Sequence, residues 1–205
     1  SRLSSARNPR VSSTLTSPVD YRSLMAPEMA EVDAVIHRRL SSKVALVDQI
    51  SNYIVNAGGK RVRPMLLLLI AQALGKASPH RHEMAAVVEL IHTATLLHDD
   101  VVDESSLRRG RQTANAMFGN AASVLVGDFL YTRAFQMMVT PNRMRVLEVL
   151  AEATNVIAEG EVLQLMNMHD PDITVEDYLR VIEYKTAKLF EASARLAAVI
   201  SDAPT

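Results

Sequence analysis

The sequence predicts an all-α domain, an antiparallel bundle of long helices, and three observations carry that expectation. Apolar residues recur at three- and four-residue spacing almost everywhere after Asp20, and no window alternates cleanly over the length of a strand. The 205 residues are 48% hydrophobic but only 4% aromatic, with ten Met and no Trp, whereas strands draw on aromatic and β-branched residues. Glycine and proline stand where the periodic stretches break, as at Gly58-Gly59, Pro64, Pro79 and Pro141. A chain of this length supports one sizeable core, so residues 25–205 are expected to form a single helical domain.

In chain order, residues 1–24 read as a disordered tail, since residues 1–17 carry Arg2, Arg7 and Arg10 among many Ser and no acid, without an amphipathic repeat. Helices follow at about 27–39 and 43–57, the second ended by Gly58-Gly59. A third, at about 64–75, opens on Pro64, where a missing N–H costs nothing. A fourth, at about 79–104, follows Ser78-Pro79; a fifth covers about 120–139, and a sixth, about 142–169, follows Thr140-Pro141-Asn142. The last, about 174–201, begins at Thr174 with Asp177 three residues on, an approximate capping box. Long helices joined by short turns build metal and ligand sites in the interior of the bundle. The last helix has no later helix in the sequence to cover it, so either another chain packs there or further helices belong to the protein.

Charge removes several functions. With 22 basic and 23 acidic residues, net −1, no whole-molecule field attracts nucleic acid or anionic lipid, and anion recognition has to be local. The absence of Cys removes disulfides, thiolate zinc sites and Cys nucleophiles together, and fits a reducing, cytoplasmic setting. The longest apolar run, Pro64 to Leu74, is too short for a bilayer and is broken by Gln72, so no transmembrane segment is expected.

The residues suited to chemistry begin with Asp99-Asp100-Val101-Val102-Asp103-Glu104, at the C-terminal end of an apolar helix. Asp99 and Asp103 are i,i+4 and Asp100 and Asp103 are i,i+3, so the three carboxylates are expected on one face. The arrangement repels itself and sits at the negative end of the helix dipole, which costs each acid roughly 0.3–1 kcal/mol more. Clustered hard oxygen ligands at that cost suggest Mg²⁺, which takes one or two carboxylates and completes its octahedron with water and substrate phosphate. The bland alternative is a solvated acidic helix end neutralised by nearby arginines. Arg108, Arg109 and Arg111 flank Gly110 just beyond, so a turn brings guanidinium forks to the acids; metal-bound carboxylate plus forks is a diphosphate receptor in two halves.

A second anion site is expected at Gly58-Gly59-Lys60-Arg61-Val62-Arg63-Pro64, where glycines allow close approach beside a helix N-terminus and three cations. It lacks the Walker spacing, so no nucleotide loop is indicated. His92 stands two turns before Asp99; alone it reads as a core histidine, and between two anion sites as a diphosphate hydrogen-bond donor. Lys185-Thr186, Glu161 and Gln164 are polar groups within apolar periodicity, each by itself more a surface residue than a site.

These residues carry a family resemblance. Gly58 to Pro64, Leu90-Ile91-His92-Thr93-Ala94-Thr95-Leu96-Leu97-His98-Asp99-Asp100-Val101-Val102-Asp103-Glu104 and Leu107-Arg108-Arg109-Gly110 resemble, in order and spacing, the trans-isoprenyl diphosphate synthases. Val124 to Tyr131, Gly160-Glu161-Val162-Leu163-Gln164-Leu165 and Lys185-Thr186-Ala187 continue the pattern, over about residues 25–200 and nearest to the octaprenyl synthases of bacterial quinone pathways. The resemblance implies the isoprenoid synthase fold, usually as a homodimer, and Mg²⁺ on Asp99, Asp100 and Asp103 bridging an allylic diphosphate such as farnesyl diphosphate. It implies that Arg108 and Lys185 hold that diphosphate with Thr186 and Gln164 beside it, and that Lys60, Arg63, His92 and Arg109 hold isopentenyl diphosphate.

It further implies product-length control by the small Ala94 and Thr95, roughly 6–8 Å below the acids at 1.5 Å per residue, and loose membrane association through the product alone. The family's second aspartate-rich motif has no counterpart after Lys185, where only Glu191 and Asp202 are acidic, so the sequence is expected to be the N-terminal two-thirds of a synthase. Two rival readings are a ferritin-like di-iron protein, from the E-x-x-H of Glu89 and His92, and a non-catalytic subunit of a heteromeric synthase. The first lacks a second E-x-x-H, and the second would be expected to have lost the acidic motif that is intact here.

Overall fold

The computed structural model describes residues 18–75 and 77–204; the Arg- and Ser-rich stretch 1–17 lies outside them. Helix α1 spans Tyr21–Leu40 and starts well before the expected residue 27. Asp20 caps it, accepting from the backbone N–H of Arg22 and Ser23, and the fully buried Met25 ties the first turns to the core; that packing outweighs the hydrogen bond lost at Pro27. Helix α2 (Ala45–Asn56) ends at Gly58, and α3 (Val62–Ala73) opens from Arg61 in the left-handed region, φ 51°, with Pro64 in its first turn.

Helix α4 (Arg81–Val102) is the axis of the bundle. Its residues from Met84 to Leu97 are almost all buried, with α6 lying along it and α1, α3 and α9 around it. Each of Leu90, Ile91 and Leu97, removed from water, contributes about 1.5–3 kcal/mol. Arg81 bonds Glu28 and Arg39 bonds Glu83, fixing the start of α4 to α1.

After α4 the chain makes a hairpin of two-residue strands, β1 (Leu107–Arg108) and β2 (Arg111–Gln112), with Arg108 opposite Arg111. The turn residues Arg109 and Gly110 both have positive φ, 52° and 75°, the requirement of the two-residue turn whose twist matches its strands. Two residues per strand are too few to leave an alternating pattern. A short helix α5 (Ala114–Phe118), capped by Thr113, leads into α6 (Asn120–Met138), and α7 (Met144–Asn167) returns antiparallel to the bundle.

The last expected helix is continuous but not uniform. It comprises α8 (Val175–Ile182), a π-helical turn at Glu183–Ala187, and α9 (Lys188–Ile200). The capping box is present: Thr174 accepts from the Asp177 N–H and the Asp177 carboxylate accepts from the Thr174 N–H. Helix α9 packs on α3 and α7 through Leu189, Ala192, Leu196 and Ile200, while α8 buries no side chain among the described residues.

Candidate active site

The C-terminal end of α4 carries the acids, and the hairpin folds back beside it. Arg108 reaches Asp100 with both faces of its fork, Nη2 to Oδ1 at 2.6 Å and Nε to Oδ2 at 3.1 Å. Asp100 is buried, its carbonyl accepting from the Ser105 N–H at 2.9 Å and the Asn115 amide at 3.3 Å. The three carboxylates lie near one another, since Asp103 feels the charges of both Asp99 and Asp100. Of the three, Asp100 is the one that the Arg108 fork engages. The hairpin brings this fork donor to the middle acid of the three, as the arginines after the acids predict.

Asp99 and Asp103 remain on the open side. Lys185, in the π turn, places Nζ 2.8 Å from Asp99 Oδ1 and also bonds Gln164 Oε1 on α7. Asp103 closes α4 as its C-cap; burial raises its carboxyl above the usual range, and the neighbouring negative charges of Asp99 and Asp100 raise it further. A divalent cation would relieve both repulsions, so the donor set fits a hard ion on Asp99 and Asp103. Glu161, one residue after Gly160, is also raised, first by burial and then by Asp99, and its Oε1 is buried without a hydrogen bond. Its place in an apolar repeat gave no sign of this.

On the other side of the hairpin lies a cavity of about 210 Å³ lined by Lys60, Arg63, His92, Asp100, Arg108 and Arg109 among others. The glycine loop shapes its mouth: Arg109 donates to the Gly58 carbonyl at 2.7 Å, and a Cβ on Gly59 would sit 2.8 Å from Arg109 Nη1. Arg63 stacks on Phe190, 4.5 Å from ring centre to guanidinium carbon, with Nη1 3.3 Å from His92 Nε2. Burial draws the Arg63 pKa down and leaves its Nε without a hydrogen bond.

His92 is held down to about 3, by burial first and then by the charges of Arg63, Arg108 and Arg109, so it is neutral at physiological pH. Glu89 lies beneath, raised by burial, 3.4 Å from Arg61, which also reaches Asp33 on α1 at 3.3 Å. Glu89 and His92 thus face arginines, not a shared metal, which disposes of the di-iron reading.

The structure therefore gathers Lys60, Arg63, His92, Arg108 and Arg109 around one cavity and Asp99, Lys185 and Gln164 at one contact. Thr186 is exposed beside Lys185. Ala94 is fully buried in α4, and Thr95, also buried, donates its hydroxyl to the His92 carbonyl at 2.6 Å. Phe190 and Asn115 were not legible in the sequence, because each acts on a residue remote in the chain.

This architecture has relatives. The family model described as polyprenyl synthetase matches residues 44–205. The octaprenyl diphosphate synthase of Escherichia coli is 61% identical over 178 residues, covering 87% of this chain and 55% of that enzyme. The crystal structure of a decaprenyl diphosphate synthase from Rhodobacter capsulatus superposes with a TM-score of 0.85 at 50% identity, over 90% of this chain and 57% of that one. A polyprenyl synthase from Caulobacter crescentus, crystallised with calcium and isoprenyl diphosphate, superposes with a TM-score of 0.87 at 48% identity, over 90% and 56%. The chain thus spans little more than half the length of these relatives. With the helical fold, the motif order and a family model matched over most of its residues, the chain belongs to the polyprenyl synthetase family.

Proposed function

We propose that this chain carries the diphosphate-binding face of a Mg²⁺-dependent trans-prenyltransferase that extends an allylic diphosphate with isopentenyl diphosphate. The observation that carries the reading is the division of charge across the hairpin: Asp99, Asp103 and Lys185 on one side, a cavity lined by Lys60, Arg63, His92 and Arg109 on the other, with Arg108 on the boundary. Asp99 and Asp103 would hold Mg²⁺, which supplies charge neutralisation to the leaving diphosphate.

Lys185 and Arg108 hold the allylic diphosphate, with Thr186 and Gln164 beside it, and Asp100 keeps the Arg108 fork aimed. Lys60, Arg63, Arg109 and neutral His92 hold isopentenyl diphosphate. As negative charge grows on the departing diphosphate, these fixed cations stabilise it without reorganising. The allylic C–O bond breaks, the double bond of isopentenyl diphosphate attacks the allylic carbon, and the proton lost goes to the released diphosphate. The protein supplies alignment and charge, not a nucleophile. Each cycle lengthens the chain by five carbons.

By similarity to the relatives the product is a long all-trans chain, octaprenyl in our reading, started on farnesyl diphosphate for quinone side chains. The small Ala94 and Thr95 on the deep side of Asp99 suit a long product, since an aromatic there would plug its path. The lack of Cys is in keeping with a reducing compartment, and we place the enzyme in the cytoplasm as a homodimer.

Calorimetric titration of the chain with inorganic pyrophosphate, with and without Mg²⁺, tests the site. Saturable, Mg²⁺-dependent binding is expected, weakened at least tenfold in Asp99→Asn/Asp103→Asn, roughly the loss of one charge-assisted contact. Binding that ignores Mg²⁺ or survives the double substitution would overturn the proposal.

A further inference from the structure

Gly160 stands in the middle of α7, where glycine is the poorest helix former after proline and alanine would serve better. What faces it is the π turn. A Cβ on Gly160 would lie 2.7 Å from Tyr184 Cβ, 2.9 Å from Lys185 Cγ and 3.2 Å from the Lys185 backbone nitrogen. Two of these atoms belong to the main chain or to the root of a side chain, so they cannot swing aside.

The π turn, Glu183–Ala187, is the one departure from α-helical winding in the run from Val175 to Ile200. It holds one residue more than an α turn and so rotates what precedes it relative to α9. α9 itself is fixed by buried Leu189, Ala192, Leu196 and Ile200. Lys185 sits within the turn and ends 2.8 Å from Asp99 on α4, bonding as well to Gln164 on the helix that carries Gly160.

We infer that Gly160 is a positioning residue: the gap left by its missing side chain seats the π turn and thereby sets the Lys185 ammonium on Asp99. The inference deepens the proposed function, because it rests on Lys185 serving the diphosphate site. It also explains two local irregularities at once. A glycine that weakens α7 and a π turn that interrupts its neighbour meet at the lysine whose ammonium must reach the acids. A methyl group on Gly160 pushes the turn outward, and the displacement is delivered to the stem of Lys185.

A bland alternative is that Gly160 serves close helix packing alone. The two readings differ in whether the Lys185–Asp99 pair feels the change. The test is a double-mutant cycle of Lys185→Met and Asp99→Asn, read by urea unfolding of the chain, first in the parent and then with Gly160→Ala added. The parent pair is expected to couple on the order of fivefold in the unfolding constant, and the coupling is expected to fall to about onefold with Gly160→Ala. Absent coupling in the parent, or coupling unchanged by Gly160→Ala, would overturn the inference.

Should Gly160→Ala not fold, deletion of Ala187 takes its place. It returns the turn to α-helical winding and swings Lys185 by roughly 100° about the axis of α9, while α8 has no buried side chain among the described residues to lose. Coupling retained in that variant would likewise refute it. Titration with Mg²⁺ and inorganic pyrophosphate separates the two claims. If Lys185→Met binds pyrophosphate as tightly as the parent, the diphosphate role of Lys185 fails, and the unfolding cycle still decides the role of Gly160. If Lys185→Met and Gly160→Ala each weaken binding and together weaken it no further, both stand; additive losses would show that Gly160 acts on something other than Lys185.

Discussion

Burial and three arginines hold His92 neutral down to about 3, whereas the unfolded chain protonates an imidazole near 6.5. The folded pKa is depressed, so His92 contributes stability that is fully present above about 6.5 and is lost as pH falls from there toward 3. Each pH unit in that window removes about 1.4 kcal/mol, an order-of-magnitude figure. Glu89, raised by burial, acts in the opposite sense as it takes up a proton, so the parent profile is a sum of both. His92→Gln keeps a polar group beside Arg63 but cannot titrate, and urea unfolding between pH 4.5 and 7 is expected to show a shallower loss of stability than in the parent. An unchanged slope would mean that His92 is solvated and protonates in the folded state. At this scale the sequence announces Asp99 and Asp103, because i,i+4 spacing on a helix fixes their common face. It announces arginine forks at the acids but not that Arg108 takes Asp100, nor that Arg63 stacks on Phe190, which depend on chain segments meeting in space.

The long helices were legible in type and order, the hairpin and the short α5 were not, and the misses have physical causes. The first helix is expected from about residue 27, yet buried Met25 and the Asp20 cap carry α1 across Pro27 from Tyr21 onward. The π turn left no mark in the periodicity, since one extra residue only shifts the phase of a repeat that is short on both sides. The capping box at Thr174 was legible, and its consequence is local. With no buried side chain among the described residues, α8 draws its order from the cap and from continuity with α9. Thr174→Ala removes a contribution of about 1 kcal/mol. We expect the amides of α8 to exchange several-fold faster while those of α4 and the midpoint of thermal unfolding stay unchanged. Equal acceleration across the chain, followed by hydrogen exchange and mass spectrometry, would show that α8 unfolds only with the whole domain.

At the scale of the molecule, two groups of exposed apolar residues among the described residues differ in what they predict. On α7 and α8, Val162, Met166, Val175, Tyr178 and Leu179 are exposed, but the segment 159–183 that carries them holds Glu159, Asp170, Asp172, Glu176, Asp177 and Glu183 beside Arg180 as its one arginine, so two copies of it repel. On α6, at its C-cap Val139 and at the start of α7, Leu125 is 66% exposed, Phe135 44%, Val139 55% and Met144 69%. Leu125 and Val139 are fourteen residues apart with Phe135 between them, a helical repeat that continues one stripe along the outer side of the helix packed most closely on α4. A two-fold pair of such stripes buries the same residues on both sides, which is how homodimers close. The dimer we propose is therefore placed on α6. Sedimentation velocity is expected to give a dimer for the chain, a monomer for Leu125→Asp/Phe135→Asp, and a dimer still for Val162→Asp/Tyr178→Asp. Because neither Leu125 nor Phe135 lines the cationic cavity, Mg²⁺-dependent pyrophosphate binding is expected to change less than threefold in the monomeric variant, about 0.6 kcal/mol. A parent that sediments as a monomer, or a dimer lost through the α7 and α8 substitutions instead, would move the interface away from α6.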